Sequence, residues 1–210
     1  MTGILFDLDG TLLDTLQDLT DSTNAALRAF GYPRRTLAQV RRFVGNGAME
    51  LIRRAVPEGE DSAPVFAFFQ NHYPAHCRIH TAPYPGVAEA LQELKAQYPV
   101  AIVSNKPDVA VKELCAELFP GVYALGESRD CPRKPAPDMV RQAMAAIGVD
   151  DCVYVGDSEV DIATAKNAGV PCLTVTWGFR DEPELIAAGA QFLCRRVEDL
   201  TKCIRDLTAL

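Results

Sequence analysis

Two hydrophobic periods alternate through the second half of the chain. YPVAIVSN (98–105) is a continuous apolar run, rich in β-branched residues, that ends in polar ones. That is the pattern of a strand buried on both faces. KPDVAVKELCAELF (106–119) follows with helical spacing, placing Val109, Leu114 and Leu118 near one side. GVYAL (121–125) reads as a short strand, and PAPDMVRQAMAAIGV (135–149) as a helix with proline near its start and Gly148 near its end. DCVYVGD (151–157) and PCLTVTW (171–177) are strands on either side of the helix SEVDIATAKNAG (158–169). EPELIAAGA, QFLC and RRVEDLTKCIRDLTAL continue the alternation to Leu210. Apolar strands separated by helices predict a doubly wound α/β layer around a parallel sheet.

The first half differs. LFDLD starts as a strand of the same kind, but the pattern then turns helical: LQDLTDSTNAALRAFG, TLAQVRRFVG, GAMELIRRAV and APVFAFFQNHY carry no convincing strand. Alternation resumes near PYPGVAEALQELKAQ (83–97). The organisation expected is an α/β core of residues 1–13 and 83–210 interrupted by a helical cap of residues 14–82, with FAFF (66–69) in the cap's own core. No internal repeat or low-complexity tract is present.

Composition narrows the function classes. The 210 residues carry 21 basic and 28 acidic side chains, a net charge of −7. There is no basic stripe for a phosphate backbone and no bias toward an anionic membrane, so neither nucleic acid nor membrane is an expected partner. An acidic motif within the first seven residues leaves no room for a leader, which predicts a cytoplasmic protein. Seven cysteines at scattered spacings, with no CxxC, read as reduced structural thiols.

Chemistry gathers at the strand ends, where open α/β sheets bind ligands. The first strand ends in Asp7-Leu8-Asp9-Gly10-Thr11, a later one in Ser104-Asn105-Lys106, and another in Gly156-Asp157 with Asp161 four residues on; Lys134 precedes a helix. Singly, each has an ordinary reading: a helix cap for Asp157 or Asp161, turn chemistry for Ser104-Asn105, a solvated lysine for Lys134. Together they place several carboxylates, a hydroxyl and a lysine at one sheet edge. Clustered carboxylates call for a hard cation, and Mg²⁺ suits a site that also takes phosphate. An aspartate there can attack phosphorus while its neighbour handles the proton.

DLDGT, SN, K and GDxxxD, in that order, resemble the four motifs of the haloacid dehalogenase superfamily across nearly the whole chain. FGYP, RRFVGNG, PYPGV, SNKP, KPAPD and TWGF resemble its phosphoglycolate phosphatase-like branch. The resemblance implies a Mg²⁺-dependent phosphatase acting on a small phosphorylated metabolite. It implies Asp7 as nucleophile and metal ligand, and Asp9 as acid and base with a metal-binding carbonyl. On the same resemblance Thr11 would support Asp9 and the loop and meet substrate; Ser104, the Asn105 N–H and Lys134 would hold the phosphoryl group; and Asp157 would ligate the metal, with Asp161 behind it. An aspartate at position 9 favours phosphoryl transfer, because dehalogenases and phosphonate-cleaving relatives lack it. A phosphosugar mutase and an idle binding protein on the same fold remain alternatives.

Substrate choice is expected from the cap. The Gly45-Asn46-Gly47 turn is flanked by Arg41, Arg42, Arg53 and Arg54. Asn46 is a candidate for substrate hydrogen bonds, and Arg42, nearest to the turn, for a substrate carboxylate. His72, His76 and His80 repeat at helical metal spacing, but Pro74 interrupts the helix, so a structural or solvated role is expected. Trp177 is expected to pack in the core or a lid.

Overall fold

The computed structural model describes residues 1–129 and 131–209. The first strand, β1 (Thr2–Phe6), leads through a tight turn to the two-residue β2 (Leu13–Asp14). Four helices follow: α1 (Leu16–Ala29), α2 (Leu37–Phe43), α3 (Ala48–Ala55) and α4 (Ala63–His72). The chain returns through β3 (Ala82–Pro83) to α5 (Val87–Lys95). Then come β4 (Val100–Pro107), α6 (Asp108–Leu118), β5 (Tyr123–Glu127), α7 (Asp138–Ile147), β6 (Asp151–Gly156) and α8 (Glu159–Ala168). The series closes with β7 (Cys172–Val175), α9 (Glu182–Ala187), β8 (Phe192–Cys194) and α10 (Leu200–Thr208). Leu210, the last residue of the predicted final helix, lies outside the described residues.

Six strands form one parallel sheet in the order β5-β4-β1-β6-β7-β8. β1 is central because Ile4, Leu5 and Phe6 are wholly buried and serve both faces. Strand alternation sends Ile4 and Phe6 into the apolar cluster on one face and Leu5 into the cluster on the other. Fully burying such a side chain stabilises the fold by roughly 1.5–3 kcal/mol. From β1 the chain builds outward through β4 and β5, then crosses back to lay β6 on β1's other side. The order thus reverses between β1 and β6, which is where open sheets form their ligand crevice.

The helices of the cap pack around a separate apolar cluster that includes Leu27, Ile52 and Phe69. Of FAFF, Phe69 is buried, Phe66 packs against the cluster, and Phe68 is exposed. Phe179 reaches into this cluster from the core side. Asp18 ties the cap's return segment down: its carboxylate accepts from the N–H groups of Ile79, His80 and Thr81 and from the Thr81 hydroxyl. No helix among the described residues is long and apolar enough to cross a membrane.

Two differences from the sequence expectations bear on the site. The two crossings between core and cap pair with each other, Leu13 opposite Pro83 and Asp14 opposite Ala82 in an antiparallel ladder. Two residues per strand are too few to show a period. The strand expected to stop at residue 105 continues to Pro107, so Lys106 belongs to β4 and not to the helix after it. Helix α6 begins only at Asp108, because the residue before a proline is disfavoured in the α region.

Candidate active site

The floor of the site is built from the ends of three strands and the start of one helix. Asp7 extends β1 by one bond, its N–H donating to the Val155 carbonyl at 2.8 Å. The chain then folds back so that the Thr11, Leu12 and Leu13 N–H groups all meet the Leu8 carbonyl. Gly10 makes this turn possible. It has φ +89°, and a Cβ there would stand 2.4 Å from an Asp157 carboxylate oxygen. Asp157 follows β6. Its Oδ1 accepts from the Thr11 hydroxyl at 3.2 Å and its Oδ2 from the Phe179 N–H at 2.6 Å. Asp161 caps α8 reciprocally with Ser158, accepting from the Ser158 N–H and hydroxyl on Oδ2.

Each of the two crowded aspartates has its own lysine. Lys134 Nζ lies 2.8 Å from Asp7 Oδ1 and 2.8 Å from Asp161 Oδ1, and 3.0 Å from the Tyr154 hydroxyl. Lys106 Nζ lies 2.9 Å from Asp9 Oδ1 and also donates to the Tyr73 hydroxyl of the cap. Both ammonium groups are almost wholly buried, with side chains 2% exposed. Burial works against these cations. At Lys134, Asp161 and Asp7 outweigh it, and at Lys106, Asp9 and Tyr73 do, so both lysines sit above the ordinary lysine range. The carboxylates are pushed the other way. Burial, then the Asp161 charge, raises Asp7 well above the usual carboxylate range against the pull of Lys134. The same two causes raise Asp157 to about 7, against the Phe179 N–H and Arg180.

β4 supplies the next wall. Ser104 is buried at the cavity, its hydroxyl accepting from the Lys106 N–H at 3.2 Å. Asn105 holds the Lys134 loop in register. Its Oδ1 accepts from the Lys134 N–H at 2.8 Å, and its Nδ2 donates to the Lys134 carbonyl at 3.0 Å and to the Gly45 carbonyl of the cap. Between floor and cap is a cavity of about 50 Å³. Asp7, Asp9, Ser104, Asn105, Lys106 and Lys134 line it from the core; the cap contributes Leu19, Val44, Leu51, Phe69 and Tyr73 among others.

Several candidates occupy other places. Thr11, expected to brace Asp9 and meet substrate, instead binds Asp157 and does not line the cavity. The turn over residues 8–13 aims its hydroxyl across to β6. Arg42 lies in a separate depression with Arg41 and Arg180, because its helix, α2, turns it away from the cavity. Arg41 is spent on the Gly178 carbonyl and Asp181, and Arg53 and Arg54 both grip Glu50. Gly45 and Gly47 line the cavity, but Asn46 between them does not. His72 and His76 stack with ring centroids 3.8 Å apart, while the His80 N–H binds Asp18; the carboxylate group formed by Asp7, Asp157 and Asp161 includes no histidine. The Trp177 indole donates to the Thr11 carbonyl and packs on the core.

Sequence reasoning missed three residues. Lys106 had a signal, since residues i and i+2 of a strand share a face and Ser104 was already a candidate. Tyr73 had none, as only the fold brings it to β4. Arg180 clamps cap to core: its guanidinium holds Glu159 and donates to the Arg41 and Val44 carbonyls.

The donor set fits a divalent cation. Asp7, Asp157 and Asp161 each offer an oxygen within 4.8 Å of the others, and all three are buried. Asp161 Oδ1 is committed to Lys134 and Tyr154, and its Oδ2 to Ser158. It therefore suits a bracing role better than a direct ligand's. The raised pKa values of Asp7 and Asp157 mark a site short of positive charge.

A parallel sheet reversing between β1 and β6, a helical cap and this aspartate–lysine floor define a hydrolase of the haloacid dehalogenase type. The haloacid dehalogenase-like hydrolase family matches residues 4–175, and the chain belongs to that family. Within it, the chain is 36% identical to a phosphoglycolate phosphatase of Cereibacter sphaeroides, over 87% of this chain and 88% of that protein. It is 33% identical to phosphoglycolate phosphatase 1 of Pseudomonas aeruginosa, over 95% of this chain and 78% of that one. A crystal structure from Lactobacillus delbrueckii subsp. bulgaricus, assigned provisionally as a phosphoglycolate phosphatase, superposes with a TM-score of 0.91 at 36% identity, covering 97% of this chain and 98% of the other. The chain is thus a phosphoglycolate phosphatase-like hydrolase.

Proposed function

We propose that this protein is a Mg²⁺-dependent phosphomonoesterase that hydrolyses a small phosphorylated metabolite, phosphoglycolate, through an aspartyl-phosphate on Asp7. The observation that carries this reading is the pairing of Asp7 with Lys134 and of Asp9 with Lys106 in one cavity beside Asp157. Ser104 and Lys134 hold phosphoryl oxygens, the lysine offsetting their charge. An Asp7 oxygen attacks phosphorus as the ester P–O bond breaks, and Asp9 gives its proton to the departing alkoxide. Asp9, now anionic, takes a proton from water as that water attacks phosphorus and the bond to Asp7 breaks. Phosphate leaves, and both carboxyl groups return to their starting states. Mg²⁺ would be held by Asp7, Asp157 and the Asp9 carbonyl, with Asp161 behind them, and when bound supplies positive charge at the phosphoryl oxygens.

Residues 14–82 act as the cap over this site, and the core comprises 1–13 and 83–210. All seven cysteines are unpaired, in keeping with a reducing cytoplasm. Phosphate release from phosphoglycolate and from hexose 1-phosphates, with and without Mg²⁺, tests the assignment. Mg²⁺-dependent hydrolysis of phosphoglycolate is expected. Isomerised sugar phosphates without phosphate release would mean a mutase instead.

A further inference from the structure

A carboxylated leaving group needs a cation inside the cavity, and the cap's arginines do not provide one. Arg41, Arg53 and Arg54 are paired with acidic groups elsewhere, and Arg42 faces a different depression. The cations that line the cavity are Lys134 and Lys106. Lys134 is occupied by Asp7 and Asp161 at the phosphoryl end. Lys106 is two residues beyond Ser104 on β4, on the same face, and meets the cap through Tyr73.

A lysine ammonium only donates, so the Tyr73 hydroxyl accepts from Lys106 and keeps its own proton free. Tyr73 is 3% exposed, and its hydroxyl donates to no acceptor among the described residues. A buried donor without an acceptor is costly, and a ligand oxygen in the cavity would satisfy it. The rest of the cap wall is apolar, formed by Leu19, Val44, Leu51 and Phe69. Ser104 and Lys106 are two residues apart on β4, roughly 7 Å along the strand, a spacing that suits a short leaving group.

We propose that Lys106 and Tyr73 together form the recognition point for a carboxylate on a short, two- or three-carbon leaving group. The proposal rests on the phosphatase reading above and adds how the substrate is chosen. An ammonium has three N–H donors. Those of Lys134 have three partners, Asp7, Asp161 and Tyr154, whereas Lys106 has two, Asp9 and Tyr73, which leaves it a donor for a substrate carboxylate.

The test compares kcat/KM for phosphoglycolate with that for 2-hydroxyethyl phosphate, which is similar in length and lacks the carboxylate. The wild-type enzyme should favour phosphoglycolate by about tenfold to a hundredfold, the worth of a charged hydrogen bond. Lys106→Met slows both reactions, because Asp9 loses its partner, but it should bring the ratio to near one. Tyr73→Phe keeps the ring and should lower the ratio by about threefold to tenfold. Arg42→Gln should leave the ratio unchanged. A wild-type enzyme indifferent to the carboxylate overturns the proposal while leaving the phosphatase reading intact, and needs no variant to fold. Equal losses on both substrates in Lys106→Met overturn it too, reducing Lys106 to a prop for Asp9. If the wild-type protein releases phosphate from neither ester with Mg²⁺ present, the phosphatase reading itself is wrong and this proposal goes with it.

Discussion

The cavity has a floor and a ceiling of opposite character. The floor, at the strand ends of the core, is nearly all ionic: Asp7, Asp9, Asp157, Asp161, Lys106 and Lys134 lie at or next to it, and each carboxylate has a named partner. The ceiling, on the cap, is nearly all apolar, with Tyr73 as its polar side chain at the cavity. A parallel sheet fixes its strand ends through hydrogen bonds to both neighbours, so charges placed there hold their geometry. Packed helices hold shape more than polar geometry. In the proposed function the floor carries the phosphoryl chemistry, and discrimination between leaving groups falls where the ceiling meets it, at Tyr73 and Lys106.

Breaking the floor should cost activity on every substrate. Asp9→Asn removes the group that moves the proton, and kcat should fall by about 10²–10⁴-fold on alkyl phosphates, read by phosphate release. Lys134→Met leaves Asp7 and Asp161 buried without their shared cation. Metal-free protein should lose about 3–5 kcal/mol in urea unfolding. Equal stability in that variant would show that the two carboxylates do not depend on the lysine. The ceiling should respond differently. Leu51→Ala should cost about 2–5 kcal/mol of stability and shift preference toward bulkier esters, with the Mg²⁺ requirement unchanged. The cap's exterior should matter least. Arg53 and then Arg54 hold the Glu50 carboxyl at about 2, below its usual 4.5. The stabilisation is therefore present above pH 4.5 and lost as pH falls through 2. Because Arg53, the larger cause, is mostly exposed, wild type and Glu50→Gln should differ by at most about 1 kcal/mol near neutral pH and converge in acid.

The floor was far more legible in the sequence than the ceiling, for a physical reason. Strands buried on both faces must be apolar along their whole length, so the polar residues that end them stand out: Asp7 after Phe6, Ser104 after Val103, Asp157 after Gly156. Lys106 was given no role because a polar run looks like a strand's end, although here ladder bonds and ion pairs carry the strand on to Pro107. The ceiling depends on tertiary placement. Tyr73 reaches Lys106 across 33 residues, and no local pattern encodes that meeting. Arg42 was favoured for its closeness in sequence to the glycine turn, yet helix geometry points it elsewhere. The two-residue ladder joining the crossings was too short to leave a period.

In the proposed function Asp7, in this floor, forms the bond to phosphorus. Beryllium trifluoride mimics a phosphoryl group on a carboxylate, so ¹⁹F NMR of the protein with Mg²⁺ and beryllium fluoride reads that bond directly. Resonances of bound fluoride are expected in the wild-type protein, and their loss in Asp7→Asn, together with loss of phosphate release. Bound resonances that persist in Asp7→Asn, or near-normal turnover by that variant, would contradict it.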